Sequence, residues 1–211
     1  MKKIILVVFI AVLSGSFLFA QEFKKGVRLG ANYGTGVLKD FPAGFENKYE
    51  WSFSAGVFGE LKMPSDYAIG VEVLYGRQVS KLERKDATTN SSNNETIFFN
   101  NIEIPVLFKK YWEGFHIFLG PEIEFKLDAK ADKEVTVNGI TTEQDGVDVS
   151  KQFRVFDVQA VGGIGYVLDM GLFADLRYNY GLLNRIKETN DYHRDSKYHH
   201  SYFTLSLGYK F

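Results

Sequence analysis

Ser201 to Phe211 reads S-Y-F-T-L-S-L-G-Y-K-F. Phe203, Leu205, Leu207, Tyr209 and Phe211 fall on one parity, and Tyr202, Thr204, Ser206, Gly208 and Lys210 on the other. A strand points successive side chains to opposite faces, so this segment is a strand with one apolar face and one small or polar face. Two architectures use such a strand. A soluble sandwich or barrel turns the apolar face inward, and a membrane barrel turns it outward to lipid.

The other end of the chain bears on that choice. Met1-Lys2-Lys3 is followed by an unbroken apolar run, Ile4 to Leu13, and then by a region of smaller residues ending at Ala20. This is the pattern of a secretory signal peptide, with cleavage expected between Ala20 and Gln21. The expected organisation is therefore a leader over 1–20 and one barrel domain over 21–211. The chain has no Cys, so neither a lipoprotein anchor nor a disulfide is available. It holds 25 Lys and Arg against 26 Asp and Glu. Losing the two leader lysines leaves a net charge of −3. That balance gives no reason to expect a nucleic-acid partner. No later segment reaches the roughly 18 apolar residues of a membrane helix, so a membrane assignment requires a barrel.

The same alternation recurs along the chain. Val27, Leu29, Ala31 and Tyr33 begin it, followed by Trp51 to Val57, then Ile69 to Tyr75, then Ile102 to Phe108. Phe115 to Leu127, Phe156 to Tyr166 and Leu172 to Tyr180 continue it, and the last stretch closes it. These are eight strands, each expected near the ~9–11 residues a tilted strand needs to cross a bilayer. Long polar connections (35–49, 78–96, 128–150, 183–200) alternate with short turns near 61–66, 111–114 and 168–171. The polar stretch Gln78 to Thr96 is expected to be a mobile loop. The rhythm predicts an all-β, eight-stranded, antiparallel up-and-down transmembrane barrel, with short periplasmic turns and long outer loops.

The apolar face gathers aromatics near strand ends: Tyr33, Trp51, Tyr75, Phe108, Phe115, Tyr166, Tyr178, Tyr180, Tyr209 and Phe211. Amphipathic rings settle at the headgroup level, which explains such girdles. The opposite face is rich in Gly, Ser and Asn, which suits a narrow lumen. Parity also places Arg28, Glu72, Glu103, Lys109, Glu122, Glu124, Asp157, Asp175 and Arg177 there, with Glu60, Lys126 and Lys210. An unpaired buried charge is costly, so mixed signs predict a paired network that plugs the lumen. A narrow proton or ion path is the alternative use of the same groups.

Signals for catalysis are weak. No nucleophilic Cys, G-x-S-x-G, H-E-x-x-H or phosphate loop occurs. His116 is expected to face the lumen beside Glu122 and Glu124. His193, His199 and His200 lie near Asp191 and Asp195, but that spacing does not form a tetrahedral metal site. A Ser–His pair of the lipid-modifying kind would have to use Ser201 or Ser206 with His199. Gly162-Gly163-x-Gly165 sits inside a strand, where glycine signals a bend or close packing against a bulky neighbour. No catalytic residue, metal site or cofactor is expected.

Several segments carry a family resemblance. I-E-I-P-V-L-F-K at Ile102–Lys109, F-L-G-P-E-I at Phe118–Ile123 and G-G-I-G-Y at Gly162–Tyr166 are three of them. L-R-Y-N-Y-G-L-L-N at Leu176–Asn184 and the final L-G-Y-K-F complete the set. Together they resemble the PorT-type outer-membrane β-barrel family. The closing strand also resembles those of Gram-negative outer-membrane barrels, whose final aromatic is read by the assembly machinery. That resemblance assigns an assembly signal to Tyr209 and Phe211. It implies a bacterial outer-membrane location, with outer-membrane lipid and the barrel assembly machinery as partners. It further implies a non-enzymatic structural or partner-binding role through the outer loops, with other envelope or secretion proteins as candidate partners. A small pore or transporter component and a soluble lipocalin-like ligand-binding barrel are the alternatives.

Overall fold

The structure is a computed structural model and describes residues 22–39, 45–86, 91–187 and 197–211. The expected cleavage point at Ala20 and Gln21 lies outside the described residues, as do Asp191, His193 and Asp195. The described strands are β1 (Phe23–Lys39), β2 (Phe45–Lys48), β3 (Glu50–Met63), β4 (Tyr67–Asp86) and β5 (Ser91–Trp112). They continue with β6 (Phe115–Val137), β7 (Ile140–Asp148), β8 (Phe156–Val167), β9 (Leu172–Gly181) and β10 (Lys197–Lys210). All pairings are antiparallel.

Eight of these strands close a ring in the order β4-β3-β1-β10-β9-β8-β6-β5, and β5 pairs back onto β4. The registers fix its stagger. Phe23 faces Leu61, Leu61 faces Ile69, Ile69 faces Phe108, and Phe108 faces Leu119. Leu119 then faces Gly162, Gly162 faces Tyr178, Tyr178 faces Phe203, and Phe203 faces Tyr33. The circuit returns to β1 ten residues beyond its start. Such a stagger tilts the strands against the barrel axis, and closure leaves the ring without an open edge. The reciprocal backbone hydrogen bonds of Lys25 and Phe211, at 3.1 and 2.8 Å, extend the β1–β10 seam to the last residue.

The expectation of eight strands of about ten residues is corrected in two ways. The described residues form ten strands, of which β2 pairs with β4 and β7 with β6 outside the ring. The ring strands are also uneven, from 10 residues in β9 to 23 in β6. The polar stretches expected as mobile loops are largely strand. Gln78–Asp86 of β4 pairs with Ser91–Phe99 of β5, and Ser91–Val137 pairing continues the sheet into β6. Outside the bilayer the outer face of these extensions meets water and not lipid, so it needs no apolar stripe and the alternation signal weakens, while Leu82, Ile97 and Phe99 are buried on the inner face. Asn138 and Gly139, with φ of 50° and 79°, form the tight turn between β6 and β7.

Exposure separates the two architectures left open by the alternation. Leu29, Leu119, Leu205 and Leu207 are each at least 59% exposed, whereas Arg28, Glu72, Glu122 and Arg177 are at most 4% exposed. A soluble lipocalin-like barrel has the reverse arrangement. Here the apolar face can be covered only by lipid, and the charged face is the interior. Aromatics flank the apolar band at both ends. Tyr33 against Trp51 (4.8 Å) and Tyr178 against Phe203 (4.9 Å) lie toward the long strand extensions. Tyr67 against Phe108 (5.3 Å) and Phe115 against Tyr166 (4.6 Å) lie toward the short turns.

Candidate functional site in the barrel lumen

The interior is organised in tiers along the barrel. Nearest the short turns, Glu60 accepts from Lys210 Nζ at 2.8 Å and from Tyr111 Oη at 2.7 Å, and Lys109 Nζ stands 3.2 Å away. These side chains come from β3, β10 and β5, so the tier ties distant parts of the ring together. In an outer-membrane barrel the short turns face the periplasm. A vestibule of about 790 Å³ opens at that mouth, with Lys24, Lys62, Tyr111 and Lys210 among its lining residues.

The middle tier is centred on Glu72 of β4. Arg28 Nη1 donates to both of its oxygens at 2.9 and 2.8 Å, and Arg177 reaches both at 3.2 Å. Asp175 lies 3.7 Å from Arg28 and 3.8 Å from Arg177, and it pairs with His116 Nε2 at 2.9 Å. Arg28 also donates to Ser206. Two guanidiniums and two carboxylates therefore balance here. His116 faces the lumen but is not beside Glu122 and Glu124; the register sets it opposite Gly165, one strand from Asp175. Its ring stacks near Tyr111 and Phe118.

The upper tier holds Glu103, Glu122 and Glu124 from β5 and β6. One carboxylate oxygen from each lies within 4.8 Å of the others. Gln78 Nε2 reaches Glu103 at 3.1 Å, Glu124 at 2.9 Å and Tyr202 Oη at 3.3 Å. Gln159 donates to Glu124, Asn179 donates to Glu122 at 3.2 Å, and Tyr202 donates to Glu122 at 3.4 Å. The cation of this tier is Arg185, whose Nη1 lies 2.7 Å from Glu124 Oε1. Arg185 comes from the β9–β10 connection, stacks its guanidinium on Phe99 at 4.8 Å and contacts His200 Nδ1. Asp157 is interior but joins no ion pair among the described residues. It accepts from the backbone of Val158 and Leu183, anchoring the start of that connection.

Above Arg185 the long end is roofed. Phe153 and Ile186 form a β-bridge between two connections, flanked by Arg154 N to Arg185 O (2.7 Å) and Lys187 N to Gln152 O (2.8 Å). Leu82, Ile97, Phe99, Val149, Phe153, Ile186 and Tyr198 form an apolar core under this roof. Lys126 holds it down by donating to the Phe153 carbonyl at 2.8 Å. Inside the lumen, the two cavities beside Glu72 and Gln78 are each about 10 Å³, room for about one water.

Parity reading assigned the strand charges to the interior but missed Arg185, Gln78, Gln159, Asn179 and Tyr202 as site residues. Gln159, Asn179 and Tyr202 lie on the interior parity and could have been included. Nothing in the local spacing separates Arg185 from the other charges of its connection. The Ser–His arrangement is absent among the described residues: Ser206 meets Arg28, Ser201 meets Tyr178 Oη at 2.8 Å, and His199 meets the Gly181 carbonyl at 3.0 Å. Gly163 is held mid-strand, where an added methyl would meet the Phe118 ring. Tyr209 and Phe211 sit on the outer face at the short-turn end, 6.1 Å apart.

A closed ring with lipid-facing apolar residues, aromatic bands and a filled polar lumen defines an outer-membrane β-barrel. The chain belongs to the outer membrane protein beta-barrel domain family, whose model matches residues 19–187. It is a protein of the bacterial outer membrane. The Neisserial surface protein A structure shares the fold, with 11% identity, a TM-score of 0.51, and coverage of 92% of this chain and 100% of that one. OprG from Pseudomonas aeruginosa aligns at 11% identity and TM-score 0.49, over 90% of this chain and 97% of that one. The attachment invasion locus protein Ail of Yersinia pestis aligns at 9% identity and TM-score 0.46, over 90% and 99%. No curated protein matches the chain in sequence.

Proposed function

We propose that this protein is a non-conducting, non-enzymatic envelope protein that binds a partner through the sheet it raises above the outer membrane. The observation that carries this reading is the contrast between a sealed interior and an extended exterior. Arg185 and the Phe153–Ile186 roof close the long end, while β6 continues from Phe125, its last partner to β8, to Val137. Twelve residues of strand are on the order of 40 Å of contour beyond the ring. β7 lies along this extension with most of its residues exposed, so the sheet offers polar side chains to the outside. A transport role would instead favour an open axis.

The likeness to PorT-type barrels makes envelope-assembly and secretion proteins the first partners to test. In this reading the leader is removed after Ala20, and Tyr209 and Phe211 guide delivery to the barrel assembly machinery. The test is a pair of measurements on the folded full-length protein. Planar bilayers should stay silent. A photo-crosslinker at Thr142 in β7 should trap a protein in cells, whereas one at Ser65 in a short turn should not trap the same protein. Steady channels that change when Arg177 is neutralised would support the pore instead. Failure of every outer-sheet position to crosslink would remove partner binding.

A further inference from the structure

We propose that the upper tier of the lumen is a binding site for one hard divalent cation of the Ca²⁺ or Mg²⁺ class, held by Glu103, Glu122 and Glu124. Charge is the first argument. These three carboxylates are at most 2% exposed. The guanidinium in ion-pair contact with them is that of Arg185. Arg28 and Arg177 are engaged one tier away by Glu72 and Asp175. Lys126 donates to carbonyls of the roof. Ionised together, the three acids would set three negative charges against one positive charge among the described residues, in a space closed to bulk water. A buried charge without a partner is strongly unfavourable, and the deficit with all three acids ionised would amount to two. One divalent ion cancels it.

The second argument is independent of the acids. Gln159 and Asn179 are at most 1% exposed, and their amide nitrogens reach Glu124 and Glu122. Yet Gln159 Oε1 and Asn179 Oδ1 have no hydrogen-bond partner among the described residues. Two orphaned oxygens on amides that touch the acids are of the kind a hard cation takes together with carboxylates. Donors are also short. The Gln78 amide nitrogen has two hydrogens but stands within reach of three oxygens. The spacing is near that of an ion site as well: three oxygens within 4.8 Å of one another share a centre no more than about 2.8 Å from each, close to the ~2.3–2.6 Å of Ca²⁺ ligands. The ion would bridge β5 and β6 beneath Arg185, joining the roof to the barrel wall.

The experiment uses the full chain folded in detergent and stripped with EDTA. Equilibrium dialysis against Ca²⁺ and, separately, Mg²⁺ should recover about one ion per chain. Glu122→Gln should lower that occupancy at least tenfold, while Glu143→Gln on the exposed β7 should leave it unchanged. Heat-modifiable gel mobility should convert several degrees higher with the ion than with EDTA. A readout on the unaltered protein guards against misfolding of the variant. Tb³⁺ luminescence sensitised through Tyr202, whose hydroxyl is 3.4 Å from Glu122, should appear and be displaced by Ca²⁺. No bound ion at millimolar concentration, together with a conversion temperature that responds to pH but not to EDTA, would overturn the site. It would mean that protons neutralise the acids.

Discussion

Arg185 Nη1 lies 2.7 Å from Glu124 Oε1, and both side chains are at most 1% exposed. One belongs to the β9–β10 connection, the other to the middle of β6, so the contact couples the roof to the barrel wall. Buried ion pairs contribute little net stability relative to apolar replacements, but breaking one leaves its partner stranded. Arg185→Leu should therefore destabilise the folded barrel by about 3–5 kcal/mol. Urea unfolding in detergent checks this. The variant should also be cut by external protease in the roof, where the wild type resists. Arg185→Lys should lose less, since it keeps the charge but not the planar fork that meets Glu124, Gln78 and Asn101. An unchanged midpoint for Arg185→Leu would show that the roof is held by its apolar core alone.

The lipid face makes a different prediction. Leu205 is 59% exposed on the outer side of β10, between Ala31 and Leu176 on the neighbouring strands. On a soluble protein an exposed Leu→Arg change is close to neutral. At bilayer mid-depth it costs about 2–4 kcal/mol. Leu205→Arg should therefore lower stability in lipid vesicles by that amount. Lys130→Arg, exposed on the part of β6 beyond the bilayer, should have no measurable effect.

How much of this was legible in the sequence follows from the same contrast. Within the ring, lipid on one side and a crowded lumen on the other force opposite chemistry onto alternate residues. Parity therefore located Leu205 and Glu72 without any coordinates. Beyond the bilayer that constraint lapses. Thr136 and Thr141, opposite each other in the β6–β7 hairpin and 2.9 Å apart through their hydroxyls, read as loop residues because both faces are wet. The local signal that did exist was Asn138-Gly139, a dipeptide suited to tight hairpins. Arg185 was illegible for another reason. Its partners on β6, β4 and β5 are distant in sequence, so only the folded ring brings them together.

Gly139 offers a test confined to that extension. Its φ of 79° is left-handed, and a methyl placed there would meet nothing within 4 Å. The penalty of Gly139→Ala is thus backbone strain alone, about 1–2 kcal/mol. Because β7 pairs outside the ring, the loss should stay local. Hydrogen exchange across residues 133–147 should accelerate by roughly tenfold, the equivalent of about 1.4 kcal/mol. The gel-mobility transition of the barrel should not move. A fall in barrel stability of similar size would mean that the outer sheet and the ring unfold together.

Gly165 poses the opposite problem, with acceptable backbone but no space. It faces His116 on β6 and Asp175 on β9 in the same level of the wall. A Cβ there would run into Asp175 Oδ1 and stand 2.6 Å from His116 Nε2, the two atoms that make the His116–Asp175 pair. Neither side chain can retreat freely. Asp175 is held between Arg28 and Arg177, and the His116 ring is flanked by Tyr111 at 4.9 Å. Overpacking of this kind costs about 1–3 kcal/mol, so Gly165→Ala should lower the unfolding midpoint accordingly. The cause can be isolated by combining it with His116→Ala, which opens space beside the new methyl. The double variant should be less destabilised than the sum of the two single changes, by at least 0.5 kcal/mol for residues in contact. Additive losses would place the strain of the alanine in the β8 backbone and not in the lumen. The interior at that level would then be looser than its ion pairs imply.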